Sequence, residues 1–279
     1  MVRMKLSSTI TLNNEVEMPR FGLGVYKSEP GAETKDAVIA ALQSGYRSID
    51  TATFYENEQS VGEGLAAAGV PREEIFVTTK VWNSDQGYQR TLDVFEESMT
   101  YLQLETLDLY LIHWPITDTF LETWRALEQL YHDGRVRAIG VSNFEPHHLE
   151  SLARKSNVVP AVNQVELHPY LQQRELRQYC REAGIAVEAW SPLARGAVLD
   201  DPVLQEIATA HGKNPVQVTL RWELQHGIIT IPKSVKSHRI TDNADVFDFE
   251  LSAAEMDRID GLDQGEQGRL GPHPDTIGG

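Results

Sequence analysis

Sulfur and positive charge are both scarce in this chain. Among 279 residues there is one cysteine, Cys180, so no disulfide can form within the chain, which suits a reducing compartment such as the cytoplasm. Lysine and arginine number 25 against 41 aspartates and glutamates, a formal charge of −16. So acidic a chain offers no broad basic face for nucleic acid or an anionic membrane, because phosphate contacts need clustered cations. No apolar run approaches the roughly 18 residues that cross a bilayer. The N-terminus carries Arg3, Lys5, Ser7 and Ser8 where a signal peptide has its apolar stretch. No linker or low-complexity tract divides the chain, so residues 1–279 read as one domain. Gly22-Leu23-Gly24 is followed by Lys27 where the dinucleotide fingerprint needs its third glycine, and neither a Walker loop nor a Gly-x-Ser-x-Gly elbow occurs. His147-His148 opens a helix-like segment and reads as surface, and His168 has no companions at zinc spacing, so no metal is expected.

What is present is a repeat of strand and helix signals. Apolar residues make up 41%, enough for a large core. Strand-like runs occupy 21–25, 47–50, 76–81, 107–113, 137–141, 161–165, 186–190 and 228–231. From 47 to 186 their starts recur every 24 to 31 residues, close to the roughly 30 of one strand–helix unit. The longer step from 186 to 228 has room for an extra helix. Between the runs, Leu92, Phe95, Met99 and Leu102, and then Leu121, Trp124, Leu127 and Tyr131, recur at helical spacing. Gly45, Gly69, Gly134, Gly184 and Gly227 stand where helices would end. The fold class expected is α/β, a closed (β/α)8 TIM barrel, with an open doubly wound sheet as the alternative. Two short alternating runs around Asn13-Asn14 predict a hairpin covering one end, and the Gly- and Pro-rich tail from 261 to 279 reads as irregular.

The stretch Gly45-Tyr46-Arg47-Ser48-Ile49-Asp50 carries the first chemical signal, with Tyr55 five residues beyond Asp50. Strand parity puts Ser48 with Asp50 on one face, Thr78 with Lys80, and Leu109 with Leu111 and His113. If those faces point inward, Asp50, Lys80 and His113 meet at the C-terminal ends of successive strands, where barrels carry their chemistry, and Tyr55 follows the first of them. Taken singly each has an ordinary reading: a capping Asp, a snorkelling Lys, a buried His, a rim Tyr. Together they are equipment for reducing a carbonyl. An ammonium lowers the pKa of a neighbouring phenol, a carboxylate keeps that ammonium charged, and a histidine holds the carbonyl oxygen.

The run from Gly45 through Tyr55 to Glu58 and Val61-Gly62 resembles the signature of the aldo-keto reductases, as do 107–115, Gly140-Val141-Ser142-Asn143-Phe144 and Ile231-Pro232-Lys233-Ser234, in the same order. The resemblance implies a catalytic tetrad of Asp50, Tyr55, Lys80 and His113, with Tyr55 the general acid. It implies NADPH or NADP+ as cofactor: Ser142, Asn143 and Gln164 match positions that hold the nicotinamide carboxamide, and Trp190 the aromatic stacked on its ring. Ser191, Leu193 and Gly196 match the loop along the pyrophosphate. Lys233, Ser234, Val235 and Arg239, in the one basic cluster of the chain, match the adenosine phosphate site, and Asp242 and Asn243 reach the adenine.

Tyr26, Phe54, Trp82 and Trp114 follow the first four strands and are candidates for substrate contact, or equally for rim packing. Trp190 and the tail Gly268-Arg269-Leu270-Gly271-Pro272-His273-Pro274-Asp275 are similar to the bacterial diketogluconate reductase branch. The resemblance thus implies a cytoplasmic monomer that reduces small aldehydes, ketones or α-dicarbonyls. A catalytically silent NADP(H)-binding or regulatory protein on the same fold is the alternative, and a metal-dependent barrel hydrolase a more distant one.

Overall fold

The computed structural model describes residues 4–277. Gly278 and Gly279, the end of the expected irregular tail, lie outside them. An antiparallel hairpin comes first, β1 (Thr9–Thr11) and β2 (Glu17–Pro19), with Ile10 opposite Met18. Eight parallel strands follow in chain order across one sheet: β3 (Leu23–Gly24), β4 (Ser48–Asp50), β5 (Phe76–Val81), β6 (Leu107–Ile112), β7 (Val136–Ser142), β8 (Val162–Glu166), β9 (Ala186–Trp190) and β10 (Ile229–Thr230). The last strand returns to the first. Phe21 bridges Thr230 and Gly24 bridges Lys233 in the parallel sense, and the Gly22 N–H donates to the Thr230 carbonyl at 3.0 Å. The sheet is therefore closed into a barrel, as the spacing predicts, and the open doubly wound alternative falls.

The helices are α1 (Ala32–Gln43), α2 (Glu58–Ala67), α3 (Tyr88–Leu102), α4 (Phe120–His132), α5 (Pro146–Ala153), α6 (Arg174–Glu182), α7 (Pro202–His211), α8 (Pro215–Gln225), α9 (Ser237–Ala244) and α10 (Ala253–Asp260). The step from β9 to β10 holds both α7 and α8, preceded by a turn over Ala194–Asp200. Apolar residues at helical spacing explain why these segments coil: on α3, Val94, Phe95, Met99 and Leu102 are all buried on one stripe.

Parity separates two cores. Ile49, Val77, Tyr110, Ile112, Ile139 and Val141 point outward and pack with Phe95, Trp124 and Leu127 of the helices. Phe76, Leu109, Leu111, Ala138, Val162 and Ile229 point inward, and the hairpin plugs this interior with Leu12 and Met18. Asn13 and Asn14 at its turn donate to the carbonyls of Pro160 and Arg137. The hairpin therefore seals the end opposite the C-terminal ends of the strands. No helix among the described residues is long and apolar enough to cross a membrane.

Gly140 sits where the interior is tightest. A Cβ there would lie 2.5 Å from the Val162 carbonyl oxygen and 2.8 Å from Leu111 Cδ2. Gly140→Ala is expected to destabilise the fold by about 1–3 kcal/mol, read as a lower urea midpoint at unchanged slope.

Candidate active site

Above the apolar layer the barrel interior turns polar. Asp50 ends β4, Lys80 lies on β5, Gln164 on β8 and Glu188 on β9, and all four are almost without solvent contact. Lys80 Nζ donates to Asp50 Oδ1 at 2.7 Å and to the Thr51 carbonyl at 2.8 Å, and it reaches Tyr55 Oη at 3.4 Å. Gln164 Nε2 donates both to Asp50 Oδ2 (2.8 Å) and to Glu188 Oε2 (2.7 Å). The Gln164 amide nitrogen is thus committed inward, and its oxygen is what remains for the cavity.

Tyr55 is set by a short turn after β4, Thr53–Tyr55. Asn57, itself buried, ties that loop down: its Nδ2 donates to the Val25 carbonyl at 3.0 Å and its Oδ1 accepts from Thr51 Oγ1 at 2.8 Å. His113, just past β6, stands edge-on to Tyr55 (centroids 5.8 Å) and to Trp82 (5.0 Å). All four members of the expected tetrad therefore converge.

Their acid–base character differs from the simple expectation in one respect. Burial pushes the Tyr55 phenol up to about 12; Lys80 pulls it down, as the pairing predicts, but burial outweighs it. Tyr55 is therefore a firmly protonated phenol rather than one tuned toward neutrality. Burial pulls Lys80 toward the neutral amine, but Asp50 and Tyr55 outweigh it and hold the ammonium above its ordinary range. His113 titrates well below its usual range, through burial first and Lys80 second, so its imidazole is neutral. Glu188 is pushed up to about 8 by burial and by Asp50, which keeps a second negative charge out of the barrel.

These groups open onto a cavity of about 1000 Å³ at the C-terminal ends of the strands. Asp50, Tyr55 and His113 line it, and Lys80 lies wholly beneath its surface. The thirteen residues expected at the cofactor all line it: Ser142, Asn143, Gln164, Trp190, Ser191, Leu193, Gly196, Lys233, Ser234, Val235, Arg239, Asp242 and Asn243. So do Tyr26, Phe54, Trp82 and Trp114, with Phe54 stacked on Trp82 at 3.9 Å and Tyr26 against Tyr55 at 5.0 Å. Asn143 adopts a left-handed backbone (φ 64°), which asparagine tolerates. Its Nδ2 donates to the His113 carbonyl and to Ser142 Oγ, both at 3.0 Å, and its Oδ1 accepts from Trp190 Nε1 at 2.8 Å.

Sequence reasoning missed part of this wall. Lys27 and Arg195 are lone cations after a strand and in a turn, with no periodic signal. Lys236 and His238 lie in the basic cluster and Gly271 and Pro272 in the noted tail, so proximity in sequence could have found them. Glu188 reads as one polar residue in an apolar strand, a signal that was passed over.

His147 is exposed but His148 is buried, contrary to the surface reading of the pair. Its Nδ1 accepts from the Glu145 N–H at 3.1 Å, so the helix start buries it. Among the described residues His147, His148 and Asp275 are the one set of three metal-capable side chains close together, and none lines the cavity. With Nδ1 accepting, the proton of the neutral His148 ring sits on Nε2 toward Asp275, where a metal would need a lone pair.

The family model for the Aldo/keto reductase family matches residues 21–264. This chain belongs to the aldo-keto reductases. It is 59% identical over 272 residues to a glyoxal reductase of Bacillus subtilis (strain 168), covering 98% of each chain. It is 47% identical to a methylglyoxal reductase of Salmonella typhimurium, covering 97% of this chain and 98% of that one. The crystal structure of Gox0644 superposes with a TM-score of 0.93 at 46% identity, covering 99% of both chains, and a variant of that protein is solved in complex with NADPH. As an aldo-keto reductase this protein is an NADP-dependent oxidoreductase of carbonyl groups, using NADPH or NADP+. The cavity suits that cofactor chemically, with the cations Lys233, Lys236 and Arg239 and the imidazole of His238 as one group and the amides of Asn143 and Gln164 beside Trp190 as another.

The shifted Glu188 carboxyl yields a test. A native pKa above the unfolded value means the folded state holds the proton longer, so stability is lost as pH rises from about 4.5 through about 8. Glu188→Gln has no such loss. Its unfolding free energy from urea titration is expected to gain on that of the wild type across this window, by on the order of a few kcal/mol, and to level off above it; a pH-independent difference would contradict the neutral acid.

Proposed function

We propose that this protein reduces small aldehydes, ketones and α-dicarbonyls to alcohols, with Tyr55 as the general acid. The observation that carries the reading is the buried chain Asp50–Lys80–Tyr55 ending at a cavity wall beside a neutral His113. A reduced nicotinamide bound in this cavity supplies a hydride to the carbonyl carbon. The developing alkoxide is far more basic than a phenolate, so a phenol held fully protonated is well placed to donate to it. Lys80, kept charged by Asp50, offsets the cost of the phenolate left behind. The neutral imidazole of His113 retains one N–H donor, which orients the carbonyl oxygen without competing as a charged acid.

Cofactor roles follow from chemistry of the same kind. Ser142, Asn143 and the inward-committed Gln164 suit a carboxamide, and Trp190 suits a flat ring above it. Ser191, Leu193 and Gly196 line the stretch given to the pyrophosphate. Lys233, Ser234, Val235 and Arg239 suit a ribose phosphate, with Asp242 and Asn243 at the base. The substrate end is aromatic, from Tyr26, Phe54, Trp82 and Trp114, which suits compact carbonyl compounds with little charge. Glyoxal and methylglyoxal, named for two relatives, are of this kind and stand first among candidates. Membership of the diketogluconate reductase branch, supported by Trp190 and the tail, a single domain over 1–279, supported by the closed barrel, and a cytoplasmic location, supported by the single buried cysteine, complete the reading together with a monomeric state.

Tyr55→Phe is expected to lower turnover of methylglyoxal at least ~1000-fold while NADPH affinity stays within about twofold of wild type. NADPH oxidation followed by absorbance, with cofactor titration alongside, checks both; equal losses would remove Tyr55 as the acid, and binding without turnover in the wild type would support the silent alternative. Arg239→Ala is expected to weaken NADPH by roughly tenfold or more and NADH little. An equal effect on the two cofactors would remove Arg239 from the phosphate site.

A further inference from the structure

The last residues of β8 and β9, Glu166 and Trp190, are register partners and so stand side by side at the barrel mouth. Glu166 is buried, and among the described residues its carboxylate makes no direct ion pair with Lys or Arg, although Arg269 acts on it electrostatically. Instead it accepts two backbone N–H groups from the C-terminal tail, Leu270 at 2.6 Å and Gly271 at 2.8 Å, and a third bond from His168 Nε2 at 3.1 Å. Burial alone would raise this carboxyl, but those bonds outweigh it and hold Glu166 ionised. The tail is thereby drawn across both strand ends. At Gly271 it comes so close to the indole that a Cβ would lie 2.5 Å from Trp190 Cη2 and 2.9 Å from Glu166 Oε2. On another part of its perimeter the same ring is held by Nε1 donating to Asn143 Oδ1 at 2.8 Å.

We propose that Glu166 is a positioning residue: by clasping the backbone of Leu270 and Gly271 it seats the tail against the Trp190 ring, which is then fixed between Gly271 and Asn143 as a rigid platform. The inference rests on the reading of Trp190 as the nicotinamide-stacking ring. A flat ring held on two sides loses little freedom when a second ring stacks on it, so the clasp lowers the entropic cost of cofactor binding. The neighbouring anchors fit the same purpose. Gly268 packs so closely on Tyr170 that a Cβ would meet its carbonyl oxygen, and Arg269 is held by Glu266. The tail therefore enters the clasp on a fixed path.

Glu166→Gln keeps the shape but turns one acceptor into a donor facing an N–H, while Gly271→Ala leaves Glu166 intact and pushes on the ring directly. In the cofactor-free protein, hydrogen exchange at the Leu270 and Gly271 amides is expected to speed up at least about tenfold in Glu166→Gln. Titration of each variant with NADPH is expected to show affinity reduced about tenfold by either substitution, with the melting temperature changed by only a few degrees. In a Trp190→Phe background, where the Cη2 corner is missing, both penalties should largely vanish. Penalties of full size in that background, or none in the wild-type one, would overturn the role. Slow amides in Glu166→Gln would overturn the clasp itself, whatever the cofactor does. If the wild type fails to bind NADPH, the stacking reading and the platform fall together, and the exchange data still say whether the clasp exists.

Discussion

An ammonium removed from water loses several kcal/mol of hydration unless a counter-charge and hydrogen bonds replace it. Lys80 has no solvent exposure, and Asp50, the Thr51 carbonyl and Tyr55 supply those replacements. The hydrogen bonds that join Asp50, Gln164 and Glu188 extend from that requirement. Asp50 holds Lys80 through one carboxylate oxygen, and Gln164 donates to the other. One negative charge suffices for one ammonium, so Glu188 next door keeps its proton. The cavity wall is thus the upper surface of a charge-balanced core, in which Lys80 reaches the Tyr55 hydroxyl at 3.4 Å while remaining out of solvent.

The scaffold makes the balance possible by geometry rather than by sequence proximity. Alternation along each strand sends Ser48 and Asp50 inward and Ile49 outward, and parallel register sets Asp50 beside Thr78 and Lys80 beside Leu111 on neighbouring strands. Below them the interior is filled by Phe76, Leu109 and Val162 and plugged by Leu12 and Met18. Closure between the first and last strands brings Tyr26 and Lys27, early in the chain, into the same cavity wall as Lys233 and Arg239. Lys233 Nζ donates to the Lys27 carbonyl at 3.1 Å across that seam.

The mouth is finished by segments outside the repeat. The turn over Ala194–Asp200 and the tail through Gly271 and Pro272 have no strand or helix periodicity, yet they line the cavity. Their conformations are dictated by what they touch: Glu166 and Trp190 shape the tail, and Asn143 ties the indole to the end of the strand that leads into it. Such loops are free to differ between relatives without disturbing the charge-balanced layer beneath, which separates the reaction from the choice of substrate.

Much of this was legible in the sequence because it rests on local rules. Apolar runs marked all eight strands, six of them spaced near one strand–helix unit, parity put Asp50, Lys80 and His113 on faces shared with Ser48, Thr78 and Leu111, and a cluster of Lys and Arg in an acidic chain marked one end of the cavity. What local rules could not supply was the balance of opposed effects at one atom. Lys80 pulls the Tyr55 phenol down as the pairing predicts, but the opposing effect of burial depends on how residues dozens of positions apart crowd the half-buried ring. The burial of His148, the double duty of Gln164 and the protonated Glu188 were missed for the same reason. The sequence by itself determined which residues face the barrel interior and in what order they arrive, since strand alternation is a property of neighbours. Only the tertiary structure decided which of them are charged and what holds the rim in place, since hydration is lost, and backbone donors find a carboxylate such as Glu166, only when distant segments meet.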